Sequence, residues 1–116
     1  MFTFPKLAAW EKARQLSKKV YLLTNAFPNE EKFGMTSQIL RPSVSMCGNL
    51  AEESGRYTPA DQRHFYNISK GSLTEVMNLL ILAADLNYLF EEETKNLMRD
   101  GKEIECMLVR LIHSRS

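Results

Sequence analysis

The feature that most constrains this chain is its punctuation. Four stretches in which apolar residues recur every three or four positions are separated by three short breaks, and no break is long enough to serve as a linker between domains. The first stretch runs from about Leu7 to Ala26, where Trp10, Ala13, Leu16, Val20, Leu23 and Phe27 make one stripe. It stops at Phe27-Pro28-Asn29, because the residue before a proline is pushed out of the α region. The second begins near Thr36, a residue type that caps free helix amides, and reaches about Glu53. Pro42 falls in its first two turns, where a missing amide costs least, and Ser54-Gly55 supplies the stop. The third has the clearest start: Thr58 as cap, Pro59 at the first helical position, and Asp61 in the positive first turn. It is expected to continue to about Leu89. The fourth covers about Glu92 to His113, with Leu97, Gly101, Ile104, Leu108 and Leu111 spaced at alternating steps of four and three.

Four amphipathic helices joined by short turns bury their stripes by alternating up and down. The sequence therefore predicts an all-α protein, an antiparallel up-down four-helix bundle in a single domain over residues 1–116. A hydrophobic fraction of 44% is ample for its core, and scattered β-branched residues argue against a sheet.

Several kinds of chemistry find no support. No glycine-rich phosphate loop occurs. A di-metal bundle site needs Glu-x-x-His on two helices, and no glutamate here has a histidine three positions later. Asp61 and His64 have that spacing once, and two ligands make no site. His64 reads as a surface residue and His113 as a residue of a helix C-terminus. Ser45, Cys47 and Cys106 have no neighbouring base in sequence, so no catalytic residue, metal, cofactor or small-molecule substrate is expected, and the chain reads as a non-enzyme. The two cysteines lie far apart within helical patterns and read as thiols of a reducing compartment, a disulfide being the alternative. The N-terminus lacks the pattern of a signal peptide. The longest apolar run, Val76 to Leu89, is interrupted by Asn78, Asp85 and Asn87. A soluble, cytoplasmic protein with no membrane partner is expected.

Two helices carry more faces than one core uses. On the third, Phe65, Ile68, Ser72, Val76, Leu79, Ala83 and Leu86 form the expected core stripe. A second stripe, Tyr66, Leu73, Met77, Ile81, Ala84 and Tyr88, lies on a separate face. Either its own bundle covers this helix on two sides, or the stripe joins subunits; contiguous apolar surface of this length favours the subunit contact and a homo-oligomer. On the second helix, Gln38, Arg41, Ser45, Asn49 and Glu52 share one arc, which Arg56 extends if the helix persists. A solvated outer face explains it. So does a hydrogen-bond network or ligand stripe, with Glu75 of helix three as the expected partner of Arg41.

Net charge is +1, which gives no global support to gripping nucleic acid through phosphates. Charge is nevertheless uneven. Residues 6–19 hold five bases and one acid, 5 − 1 = +4, and residues 91–105 hold three bases and six acids, 3 − 6 = −3. Solvated helix faces account for both; the sharper reading makes Lys12, Arg14, Lys18 and Lys19 a nucleic-acid contact.

Short pieces in order along nearly the whole chain carry a family resemblance. They are Trp10-Glu11-Lys12-Ala13, Tyr21 with Thr24, Phe27-Pro28-Asn29-Glu30-Glu31, Thr36-Ser37-Gln38, and Arg41-Pro42-Ser43-Val44-Ser45. Then come Asn49-Leu50-Ala51-Glu52, Gly55-Arg56, Phe65, and Gly71-Ser72-Leu73 with Glu75. The chain resembles the bacterial four-helix-bundle proteins encoded in intervening sequences of 23S ribosomal RNA genes. That family usually has glycine after the Ala-Glu pair, whereas Glu53 intervenes here before Ser54-Gly55. The resemblance implies a ring of five subunits and association with structured RNA or a scaffolding role. It extends to accessory proteins of diversity-generating retroelements, which implies docking on a reverse transcriptase as the alternative. Those relatives are distinctly basic, and this chain departs from them. No catalytic residue is implied by either branch.

Overall fold

The computed structural model describes residues 3–115 as four α-helices and one 3-10 turn, with no strand among the described residues. Helix α1 spans Phe4–Thr24, α2 Met35–Glu53, α3 Pro59–Asp85 and α4 Glu91–His113, with the 3-10 turn at Asn29–Glu31. Each helix packs on its neighbours in sequence and α4 closes against α1; no diagonal pair meets among the described residues. This is the four-helix bundle that the sequence predicts.

Local chemistry sets each end. Helix α1 starts three residues before the expected Leu7 because Pro5 sits in its first turn, where its fixed φ is already helical. The start of α2 differs from expectation. Gly34, not Thr36, is the cap residue and makes no side-chain bond. Glu31 substitutes for it from the 3-10 turn, its Oε1 accepting the Met35 amide at 3.3 Å. Thr58 caps α3 as expected, accepting the Asp61 amide at 3.1 Å. That helix ends at Asp85 rather than Leu89, because Asn87 adopts a left-handed backbone with φ 63°. The Asn87 amide then donates to the Ala84 carbonyl and the Tyr88 amide to the Ala83 carbonyl, both at 2.9 Å, which is the Schellman closure. In α4, Glu93 Oε1 accepts the Phe90 amide at 3.0 Å, and Glu91, Glu92 and Glu93 all face the positive end of the helix.

Pro42 lies inside α2 and is buried. It removes one rung of the helix ladder. Nearby, the Ser43 hydroxyl donates to the Ile39 carbonyl at 2.8 Å, and the Ser17 hydroxyl of α1 donates to the Ser43 carbonyl at 2.8 Å. The bond from Ser17 ties α1 to α2 beside the missing rung.

The core draws Ala9, Ala13, Leu16 and Val20 from α1, Ile39, Met46 and Leu50 from α2, and Leu97, Ile104 and Leu108 from α4. Helix α3 corrects the sequence reading. Its buried face is Tyr66, Ser69, Ser72, Leu73, Val76, Leu80 and Ala83, rotated roughly 60° from the expected core stripe at 3.6 residues per turn. The two stripes are the flanks of one wide buried arc, because α3 packs against α2 on one side and α4 on the other. Tyr66 and Leu73, expected at a subunit interface, are 1% and 0% exposed inside their own bundle. Met77, Ala84 and Tyr88 are half-buried against the same core. Ile81 alone of that stripe is exposed. Conversely Leu86, expected in the core, faces out. Burying a large apolar side chain stabilises by about 1.5–3 kcal/mol, so the chain's own core claims these residues before any partner can. Contact between α3 and α4 is close at Gly101, where an added Cβ would lie 2.8 Å from Met77 Sδ.

Candidate functional site

The basic start of the chain and its acidic last helix turn out to be neighbours, and each cancels much of the other. Lys12 Nζ lies 2.6 Å from Glu103 Oε2, and Lys19 Nζ lies 2.7 Å from Asp100 Oδ2, two rungs between antiparallel α1 and α4. Both pairs are solvent-accessible, and exposed pairs of this kind contribute about 0–1 kcal/mol each. Their consequence is electrostatic: of the four cations expected to meet nucleic acid, Lys12 and Lys19 are already paired. Arg14 sits over the Trp10 ring at 5.2 Å, and Lys18 is exposed. Helix α1 is thus a poorer cationic face than its sequence suggests, for a reason that only the packing of α4 reveals.

The polar arc of α2 divides in two. Ser45 and Asn49 are half-buried, and the network there is real: Asn49 Nδ2 donates to the Ser45 carbonyl at 2.8 Å and to its Oγ at 3.0 Å, and Ser72 Oγ of α3 lies 3.0 Å from Ser45 Oγ. Gln38, Arg41, Glu52, Arg56 and Glu75 are exposed. Gln38, Arg41 and Glu75 line an open groove of about 550 Å³ between α2 and α3, with Phe33 at its edge. The expected ion pair between Arg41 and Glu75 is absent among the described residues. The two side chains flank the groove instead of closing it. Arg56 lies beyond the end of α2 and turns back onto it, 3.1 Å from Glu52, with its guanidinium 4.5 Å above the Phe65 ring. His64 is exposed and edge-on to Phe65, and His113 is exposed in the last turn of α4.

Sequence reasoning missed the most buried charges. Lys6 Nζ donates to Glu53 Oε2 at 2.6 Å, with side-chain exposures of 5% and 0%. The other Glu53 oxygen is buried and has no hydrogen-bond partner. Tyr66 completes the cluster, its phenol pushed well above the ordinary tyrosine value by burial and then by the negative charge of Glu53. A signal was present. Lys6 is in phase with the buried Ala9, Ala13, Leu16 and Val20, and Glu53 with Met46 and Leu50. Glu53 is also the residue at which the chain departs from the glycine of the family it resembles.

These contacts join the start of α1 to the end of α2, and Arg63 Nη1 of α3 donates to the Arg115 carbonyl beyond α4. One end of the bundle therefore gathers Lys6, Arg56, Arg63, Arg110 and Arg115 against Glu52, Glu53 and Asp61. The other end carries Glu30, Glu31, Asp85, Glu91, Glu92 and Glu93 against Lys32 and Lys95. Elsewhere, Tyr88 Oη bonds Glu31 Oε2 at 2.9 Å, and that bond, then burial, raises its phenol. Cys47 is half-buried and its thiol is raised by burial, partly opposed by Ser17 and Arg14. Both cysteines are free thiols. Among the described residues no group of three or more His, Cys, Asp or Glu side chains could hold a metal ion, and no helix is long and apolar enough to cross a membrane.

A bundle of this architecture is a common scaffold, so its family is decided by sequence over its length. The model of the 23S rRNA-intervening sequence protein family matches residues 5–110. The chain belongs to that family. In structure, this 23S rRNA-intervening sequence family member is similar to a protein of unknown function from the S23 ribosomal protein family of Bacteroides thetaiotaomicron VPI-5482. The TM-score is 0.86 at 25% sequence identity, covering 95% of this chain and 99% of that one. No curated protein matches the chain in sequence.

Proposed function

We propose that this chain is a cytoplasmic, non-catalytic helical bundle that self-associates and binds structured RNA. The observation that carries the RNA reading is the collection of arginines, Arg63, Arg110 and Arg115, at the end of the bundle where bases outnumber acids, while acids outnumber bases at the other. Arginine forks suit phosphate oxygens, and a family named for a ribosomal RNA element makes RNA the anion of choice. An electrophoretic shift of structured ribosomal RNA at low salt tests it: retarded RNA supports the reading, and unshifted RNA at tens of micromolar protein refutes it.

Self-association keeps only Ile81 of the stripe the sequence favours and otherwise rests on residues outside it. At the end of α3, Ile81 and Leu82 are 46% and 43% exposed, and Leu86 just beyond it is 45% exposed. Covering them with further copies of the chain removes apolar surface from water at about 25 cal/mol per Å². The resemblance favours a ring of five. Ile81→Asp with Leu82→Asp is expected to lower the mass measured by light scattering while the helical circular dichroism persists; a wild-type monomer at micromolar concentration contradicts the reading. Met77→Asp is unsuitable, because Met77 packs on Gly101 inside the chain.

A second reading, an adaptor that docks a protein such as a reverse transcriptase, draws on Phe33, 89% exposed beside the groove of Gln38, Arg41 and Glu75. Co-elution with a purified reverse transcriptase that Phe33→Ala abolishes favours the adaptor.

A further inference from the structure

The arginine-bearing end of the bundle is hollow. Between the first turn of α1 and the last two turns of α4 lies a cleft of about 590 Å³, inside the range of roughly 300–1,000 Å³ typical of small-ligand sites. Its lining has two chemistries. Phe4, Met107 and Leu111 give an apolar wall, and Arg110, Ser114 and Arg115 a polar one. Phe4 is 84% exposed, a phenyl ring standing free at the mouth.

One arginine of the cleft is electrostatically unanswered. Arg110 makes no ion pair among the described residues. The Nε of Arg115 is buried without a hydrogen-bond partner, while its charge stands beside the Tyr66 phenol and partly opposes the effect of Glu53 there. The nearby carboxylate of Glu53 is committed to Lys6. Helix α1 opens onto the same space with no side-chain cap and no acidic residue in its first turn, so its positive end offsets the negative C-terminal end of α4 across the cleft and leaves the arginines as the net charge there. A flat apolar ring beside an unpaired arginine matches a nucleotide whose base is out of any duplex: the base has a face to stack, and its phosphate has donors to meet. A paired base, stacked within a helix, cannot reach the wall.

We propose that this cleft receives one unpaired nucleotide of an RNA strand, with the base against Phe4 and the phosphate on Arg110 and Arg115. The proposal rests on the RNA reading above and names where and in what form the RNA is held. It moves the contact from the middle of α1, where Lys12 and Lys19 are paired, to the end of the bundle.

Fluorescence anisotropy of a labelled single-stranded RNA oligonucleotide, and of the same strand in a duplex, tests it on the full chain at low salt. Single strand is expected to bind more tightly than duplex. Phe4→Ala is expected to weaken single-strand binding about tenfold, the loss of one stacked base. Arg110→Glu is expected to weaken it as well, while Lys102→Glu, a matched charge change on the outside of α4, leaves it unchanged. Phe4, Arg110 and Lys102 are exposed, and circular dichroism verifies that each variant folds. Tight wild-type binding that survives both Phe4→Ala and Arg110→Glu, or a preference for duplex, overturns the cleft and leaves the RNA reading standing. A wild-type chain that binds neither RNA removes both.

Discussion

Replacing Lys6 by methionine isolates the most consequential charge in the fold. The substitution keeps the length of the side chain and removes only the ammonium that lies 2.6 Å from Glu53. Glu53 is 0% exposed, and its second oxygen already lacks a partner, so the carboxylate left behind has no water to turn to. Stranding one member of a buried pair costs about 3–5 kcal/mol. With an unfolding entropy of about 2.1 cal/mol/K per residue, 116 residues give about 0.24 kcal/mol/K, so each kcal/mol shifts the melting temperature by ~4 °C. Lys6→Met is therefore expected to melt about 12–20 °C below wild type, followed by circular dichroism at fixed protein concentration. Lys12→Met removes an ion pair of the same length, but a solvent-accessible one, and its shift stays within about 4 °C. The double variant Lys6→Met/Glu53→Leu takes out both charges and recovers most of the loss. A Lys6→Met protein melting within about 2 °C of wild type refutes the reasoning, since the pair then behaves as though it were in water.

Other outcomes follow from the same geometry. Gly48 and Gly71 lie within helices with open space where a Cβ would go, so Gly48→Ala and Gly71→Ala should each stabilise by about 0.5–1 kcal/mol in urea titrations. Gly101→Leu should cost about 1–3 kcal/mol, because Met77 already fills the space. Because the Tyr66 phenol is raised in the folded chain, its contribution is complete below the unfolded value near pH ~10 and is lost as pH climbs beyond it, at up to about 1.4 kcal/mol per pH unit. Tyr66→Phe should flatten that alkaline decline in the urea midpoint, and an unchanged slope contradicts the assignment. Cys106 is exposed while Cys47 is half-buried with a raised thiol, so an alkylating reagent near pH 8 should modify Cys106 first, as peptide mass mapping can verify.

What the sequence made legible was governed by local rules. Thr58, Pro59 and Asp61 specify the start of α3 by themselves, and the alternating steps from Leu97 to Leu111 specify the buried face of α4. What it hid depends on neighbours distant in the chain. Thr36 is a sound cap by residue type, yet Glu31 reaches the free amide first. The two stripes of α3 have the right composition and the wrong owner, because a helix flanked on both sides buries a wider arc than one stripe. Lys12 and Lys19 look available until α4 brings Glu103 and Asp100 beside them. Lys6 and Glu53 were visible as charges at core-phase positions, but only the meeting of α1 and α2 makes them a pair.

The salt dependence of RNA binding tests the central claim most directly. Anisotropy of a labelled RNA carrying an unpaired segment, titrated with the full chain across a series of potassium chloride concentrations, gives the slope of log K against log salt. With Arg110 and Arg115 on one phosphate of a single strand and Arg63 on a second, the slope is expected to be about −1.4, and Arg110→Glu makes it shallower. A chain that leaves the RNA unbound at the lowest salt, or binds it with a slope that no arginine at this end alters, contradicts the account.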